Sequence, residues 1–193
     1  MTDINEPVLE PLQAKRRARR PLENRSARRT DAELLAFAEL LFFAYRDFTR
    51  DADAILKDFG FGRAHHRVLH FVNRHPGLRV ADLLDVLKIT KQSLGRVLKQ
   101  LIDKGYIQQQ AGSSDRRERL LYTTEAGRTL AKRLAAPQLV RLARALELAG
   151  PGADRLVQRF LQAMINAEEL PKVSSIMSSA SGAADGDGSA EGP

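Results

Sequence analysis

From Leu34 to Phe59 the chain sets Leu34, Phe37, Leu41, Phe42, Tyr45, Phe48, Ala52, Ile55 and Phe59 at three- and four-residue steps. That period is the apolar stripe of a helix. Thr30-Asp31-Ala32-Glu33 is a capping box that opens it, with Thr30 and Glu33 each able to satisfy the other's backbone N–H. The stripe runs for about seven turns, roughly 40 Å at 1.5 Å per residue. One small domain does not cover a stripe of that length, so the pattern predicts a second subunit against it. Gly60-Phe61-Gly62 interrupts the period, and a helix from about Arg63 to Arg74 follows, ended by His75-Pro76-Gly77. Val80 to Leu87 is a short helix. Leu94, Val97, Leu98, Leu101 and Ile102 then form one apolar face of the next, with Thr90 as N-cap and Gly105 as the left-handed stop.

After Gly105 the period changes. Tyr106 to Gln110 and Arg119 to Tyr122 read as two short strands joined by the polar turn Ala111-Gly112-Ser113-Ser114-Asp115-Arg116-Arg117-Glu118, a hairpin with a basic tip. Thr124 caps a helix reaching about Leu148, with Leu130, Leu134, Leu139, Leu142 and Leu146 on its buried side and Pro137 inside, where proline kinks or breaks a helix. Gly150-Pro151-Gly152 is a turn. Leu156, Phe160, Leu161, Met164 and Ile165 mark a final helix to about Leu170. The fold class is therefore mainly α, an α+β winged helix of six helices with a two-stranded β wing and a helical dimerisation region. Residues 31–170 are the folded domain, with the winged helix at about 61–125. Residues 1–30, with prolines at 7, 11 and 21 and no sustained period, are expected to be a disordered basic arm. Residues 171–193, rich in Ser, Ala, Gly and Asp, are expected to be a disordered tail.

Charge sharpens the picture by its location. The chain carries a formal +7, and residues 88–119 hold eight basic groups against three acidic ones. Lys88, Lys91, Arg96, Lys99, Lys104, Arg116, Arg117 and Arg119 thus concentrate positive charge on a helix and the hairpin behind it. Such a concentration is the footprint of a polyanion. The outward face of the helix bears Lys91, Gln92, Ser93, Arg96 and Lys99, a set suited to a DNA major groove. Thr90, Gln92 and Ser93 stand at its N-terminus, where backbone N–H groups favour phosphate. Lys91, Gln92 and Arg96 reach base edges, while Lys99 and Lys104 suit the backbone.

The order helix–helix–helix–helix–hairpin–helix–helix resembles the MarR family of bacterial regulators across residues 31–170. The residues that carry the resemblance are Leu83-x3-Leu87-x-Ile89, Leu94-x3-Leu98-x2-Leu101-x3-Gly105-Tyr106-Ile107, and Asp115-Arg116-Arg117-x-Arg119-x3-Thr123-Thr124-x2-Gly127. Thr123 departs from the family's usual leucine. The resemblance implies a homodimeric, winged helix-turn-helix regulator of transcription, a repressor or an activator, bound to a palindromic duplex site, with the hinge crevice as the place for a small aromatic effector if it has one. It implies that Arg117 enters the minor groove with Asp115 holding it in place, and that Ser113, Ser114 and Arg116 complete the wing contact. It also implies that Leu41, Phe42, Tyr45, Phe48, Phe160 and Leu161 face the partner subunit.

Other chemistry is thin. Cysteine is absent, which excludes disulfides and thiol redox switches. There is no Gly-rich phosphate loop and no spaced carboxylate pair outside helix surfaces, so the chain is not read as an enzyme and implies no cofactor. No apolar run reaches membrane-spanning length and the first residues lack a leader's apolar core, so a cytoplasmic location is expected. His65, His66 and His70 leave three readings: packing near the hinge, a metal site through the i,i+4 pair His66 and His70, or, as the resemblance implies, part of the hinge crevice that accepts a small aromatic effector. The function itself has a rival, a winged helix kept as a protein-interaction or architectural module with weak sequence preference.

The arm divides in the same way. Lys15, Arg16, Arg17, Arg19, Arg20, Arg25, Arg28 and Arg29 are either a solvated tail or a backbone-contacting arm. Each phosphate neutralised contributes about −0.9 to the slope of log affinity against log salt. If three arm residues per subunit touch phosphate, deleting residues 1–29 makes the slope of a dimer shallower by about five, equally on cognate and random duplex. An unchanged slope in the truncated protein leaves the solvated tail.

Overall fold

In the computed structural model the described residues are 29–113 and 115–184. The chain divides into two compact units, Met1–Leu40 and Leu41–Pro193. The first contributes Arg29, Thr30 and the opening turns of α1 (Asp31–Asp58). The capping box is formed there, with the Thr30 N–H donating to Glu33 Oε2 at 2.7 Å and the Glu33 N–H to Thr30 Oγ1 at 3.3 Å.

In the second unit α1 is followed by α2 (Arg63–Arg74), β1 (Leu78–Arg79), α3 (Val80–Leu87) and α4 (Lys91–Asp103). Then come β2 (Ile107–Ala111), β3 (Arg119–Thr123), α5 (Glu125–Ala149), α6 (Ala153–Ala163) and α7 (Leu170–Ala184). One core joins them. Leu56 of α1, Val68, Leu69 and Val72 of α2, Leu83 and Leu87 of α3, Leu94, Val97, Leu98 and Leu101 of α4, Ile107, Leu121, and Leu130 and Leu134 of α5 are all buried in it. In α4 the buried Leu94, Val97, Leu98 and Leu101, and in α5 Leu130 and Leu134, are positions that the three- and four-residue steps select, whereas in α1 Ala52 and Leu56 are buried and Leu34, Phe37, Leu41, Phe42 and Tyr45 of the stripe are exposed.

The wing is part of a three-stranded antiparallel sheet of order β1-β3-β2. Two strands were expected. The third is the pair Leu78–Arg79, too short to show a period of two, which aligns Leu78 with Leu121 and Arg79 with Leu120. The Arg79 guanidinium adds bonds to Asp82 at 2.7 Å and to Glu118 at 3.1 Å, so the hairpin is tied to α3 at the start of β3, just behind its tip, as well as through the sheet.

Where α4 ends and α5 begins, four groups meet. Gly105 takes φ +75°, and the Tyr106 N–H returns to the Leu101 carbonyl at 2.8 Å, closing the helix. Thr124 accepts from the Gly127 N–H at 3.0 Å as the N-cap of α5 and donates from the same hydroxyl to the Gly105 carbonyl at 2.6 Å. A Cβ on Gly127 would lie 2.0 Å from the Tyr106 carbonyl oxygen. The Thr-x2-Gly string is therefore a joint between the end of α4 and the start of α5.

Three expectations are corrected. The chain has seven helices among the described residues, not six, because the final predicted helix stops at Ala163. Second, Leu170–Ala184 is a helix where a disordered tail was expected for 171–193, and residues 185–193 lie outside the described residues. Composition hid α7 because its order comes from docking. Lys172 pairs with Asp85 at 2.6 Å, Glu169 with Lys88 at 2.9 Å, and Val173 and Ile176 are half-buried beside α2 and α3. A cavity of about 840 Å³, lined partly by Phe71, Leu78, Val86 and Met177, lies under α7. Third, Leu139 and Leu142, expected on the buried side of α5, are 63% and 47% exposed. Pro137 sits inside α5 without breaking it.

Gly127→Ala should destabilise the fold by about 3 kcal/mol, since the new methyl meets backbone that has no rotamer to yield. Urea unfolding monitored by circular dichroism measures this; a loss below about 1 kcal/mol would mean that the α4–α5 joint gives way easily.

Candidate nucleic-acid interface

The apolar half of α4 faces the core, so its other half faces solvent by geometry. Leu94, Val97, Leu98 and Leu101 are buried, and Lys91, Gln92, Ser93, Arg96 and Lys99 are exposed. Thr90 is the N-cap: its Oγ1 accepts from the Ser93 N–H at 3.1 Å and donates to Ser93 Oγ at 2.9 Å. That cap fixes the first turn and leaves its remaining N–H groups pointing outward. The turn before it contains Lys88 at φ +50°, a left-handed residue that reverses the chain between α3 and α4.

At the hairpin tip, Ser113, Asp115, Arg116 and Arg117 are exposed, and Ser114 lies outside the described residues. Asp115 Oδ1 accepts the Arg117 backbone N–H at 2.8 Å. Asp115 thus shapes the turn through the main chain, where the family resemblance led us to expect a hold on Arg117 itself. The Glu118 N–H to Asp115 carbonyl bond, 3.0 Å, and the Gly112 N–H to Glu118 carbonyl bond, 3.1 Å, close the same turn.

The eight basic residues of 88–119 separate by what they already hold. Lys104 is spent on the fold: its Nζ donates to the Phe59 carbonyl at 2.6 Å and lies 4.8 Å from the Phe61 ring centroid. Its expected backbone role is therefore not left to it. Lys88 pairs with Asp85 and Glu169, and Lys99 with Asp103 at 2.6 Å. Arg119 donates to the Arg116 carbonyl at 3.3 Å. Lys91, Arg96, Arg116 and Arg117 form no ion pair among the described residues. The unspent cations are one pair on α4 and one pair on the hairpin tip.

The histidines sort by their contacts. His65 stacks on Phe61 at 4.6 Å, its Nδ1 accepts the Gly62 N–H at 3.1 Å, and its Nε2 bonds to Gln100 Oε1. It is a packing residue that pins α2 to α4. His66 and His70 stand edge to face at 6.5 Å. Among the described residues no group of three or more His, Asp and Glu is arranged to hold a metal ion. Burial holds the His66 imidazole below its usual value of 6.5, with the Asp53 carboxylate opposing. Burial likewise lowers His70, helped by the charges of His66, Arg74 and His75. Thr123, the departure from the family's leucine, is buried and bonds to Asn73 Oδ1 at 3.3 Å, so the hydroxyl is satisfied.

A sequence model of the MarR family matches residues 59–118, the span from the end of α1 to the hairpin tip. The HTH-type transcriptional regulator PetP of Rhodobacter capsulatus is 48% identical over 137 residues, covering 71% of this chain and 82% of PetP. The chain belongs to the MarR family of helix-turn-helix transcriptional regulators. A MarR family regulator from Silicibacter pomeroyi has a similar solved structure, with a TM-score of 0.59 and 22% identity over 70% of this chain and 94% of that one. The S. aureus MepR–DNA complex gives a TM-score of 0.53 at 18% identity, covering 66% of this chain and 95% of MepR. These structures share the winged-helix fold. As a MarR family regulator the protein is a DNA-binding protein and not an enzyme, and no helix among the described residues is long and apolar enough to cross a membrane.

Lowered histidine pKa values set a pH dependence. Below about pH 6.5 the unfolded chain takes up protons at His66 and His70 that the folded chain refuses, so stability falls as pH drops from 6.5 and is fully kept above it. Urea midpoints measured between pH 8 and pH 5.5 should decline, and His66→Phe should flatten the decline. A wild-type midpoint that is constant across that range would refute the burial argument.

Proposed function

We propose that this MarR family regulator acts as a homodimer that reads a palindromic duplex with α4 in the major groove and the hairpin tip in the adjoining minor groove. The observation that carries the reading is the pairing of unspent cations, Lys91 and Arg96 on α4 with Arg116 and Arg117 on the wing, while neighbouring lysines are consumed internally. Arg96, Lys91 and Gln92 supply base readout, and Arg96 is the candidate for a bidentate guanine contact. Thr90, Ser93 and the first-turn N–H groups take phosphate, joined by Lys99 once it leaves Asp103. Arg117 enters the minor groove from a turn that Asp115 shapes, with Ser113, Ser114 and Arg116 beside it.

Dimerisation is supported by exposed apolar surface. Leu41, Phe42 and Tyr45 of α1 are 40%, 71% and 55% exposed, and Phe160 and Leu161 of α6 are 54% and 50% exposed. Phe48 is half-buried. Exposed apolar residues in such number mark an interface, and a two-fold partner presenting the same faces would cover them. Leu139 and Leu142 of α5 add to the surface such a partner would bury. A small aromatic effector bound near the hinge beside His66 and His70 would alter the separation of the two reading helices and repress or release transcription accordingly.

Footprinting should show two protected half-sites about 34 Å apart, one duplex turn. Arg96→Ala should cost about 1–3 kcal/mol on that site and relax preference at one position per half-site. An equal loss on random duplex would assign Arg96 to phosphate instead. For assembly, each Phe42 buried at the interface contributes about 2 kcal/mol, and symmetry places two there. Phe42→Asp should therefore raise the dimer dissociation constant more than about a hundred-fold in sedimentation equilibrium. A wild-type protein that sediments as a monomer at micromolar concentration would end the dimer reading.

A further inference from the structure

Gly95 lies in the second turn of α4, and nothing inside the protein requires it. Its φ is not in the left-handed region, and a Cβ built on it meets, beyond its chain neighbours and the backbone of its own helix, no atom within 4 Å. It is exposed on the solvent side of the helix. Glycine is among the poorest residues for a helix interior, and alanine there would raise the folding constant about five-fold. The chain forgoes that gain at a position where its own packing gives no reason to.

The neighbours supply a reason from outside. Residues three and four away share a helix face, and for Gly95 these are Lys91, Gln92 and Lys99 together with the buried Leu98, with Arg96 alongside. Gly95 thus lies bare between Lys91 and Lys99, within the group assigned to DNA and beside the edge of the buried face. A helix with side chains is about 10–12 Å across and the major groove about 12 Å wide, so one missing side chain changes how deeply the helix seats. In mid-helix the backbone polar groups are tied to the turns above and below, and the surface that glycine offers is a small nonpolar one. Its complement among major-groove base edges is the thymine C5-methyl group.

We propose that Gly95 is a specificity-determining residue of this regulator, the point of closest approach between the recognition helix and the groove floor, where bared backbone receives a thymine methyl group. The proposal rests on the reading of α4 as the DNA-contacting helix. A methyl group added to the helix at 95 and the thymine methyl compete for one space, whereas random duplex, held through phosphates, does not seat the helix to that depth.

The test uses the full-length protein and its footprinted site. Gly95→Ala should be more stable to urea than the parent, by about five-fold in the folding constant. It should nevertheless bind the cognate duplex at least about ten-fold more weakly while binding random duplex unchanged. Gly95→Leu, also a good helix former, should lose more. Deoxyuridine placed for each thymine of the half-site in turn should restore affinity to Gly95→Ala at one position, because the competing methyl has been removed. Cognate binding by Gly95→Ala equal to the parent's would overturn the close approach. A cognate loss that no deoxyuridine relieves would overturn the thymine assignment. Absence of any site-selective binding by the parent protein would instead refute the DNA reading of α4, a failure distinguishable from both.

Discussion

The hydroxyl of Thr124 accepts a hydrogen bond from the first turn of α5 and donates one to the carbonyl of Gly105, at the end of the recognition helix. Three chain segments converge on it: the close of α4, the start of β2 and the passage from β3 into α5. Gly127 must lack a side chain for the carbonyl of Tyr106 to come so near. The orientation of α4 relative to the long helix α5 follows from this joint, because the apolar core alone permits sliding and rotation that a short directional bond does not. The outer face of α4, proposed above to read DNA, is exposed, yet what aims it is an arrangement of two glycines and a threonine at its back.

Charge in this protein is sorted by use. Residues 88–119 hold eight cations, but Lys104 is drawn inward to a carbonyl and an aromatic face, Lys88 is shared between Asp85 and Glu169 just before α7, and Lys99 has Asp103 one turn away. What remains is placed at two separated points, the outer face of α4 and the hairpin tip. Solvent-exposed pairs such as Lys99–Asp103 contribute little to stability, so phosphate competes with them readily. Net charge therefore overstates the contact surface, and the arrangement of partners defines it.

Much of the fold was legible because burial in the winged helix follows periodicity. The bounds of α2 and α3 and the caps at Thr30, Thr90 and Thr124 could be read from single residue types whose chemistry admits few alternatives. The misses have a common cause. Leu78–Arg79 is too short to display a strand's alternation, and α7 has a Ser-, Ala- and Gly-rich composition whose contacts with α2 and α3 are not visible in the sequence. Lys104 and Asp115 lie in basic and polar runs where sequence does not tell an inward bond from an outward charge. Gly95 was passed over for a related reason. A glycine within a helical pattern signifies little until its exposure and its empty surroundings are known.

The pairing of β1 with β3 has a mechanical meaning. Through Leu78–Leu121, Arg79–Leu120 and the Arg79–Glu118 bridge, the hairpin is fastened to the segment that enters α3. α3 in turn shares a core with α4. The wing and α4 are therefore tied through one shared sheet and core. In the dimer proposed above, an effector would act on the angle between two such units, as with a caliper, and the spacing from groove to groove within one unit would be set at folding.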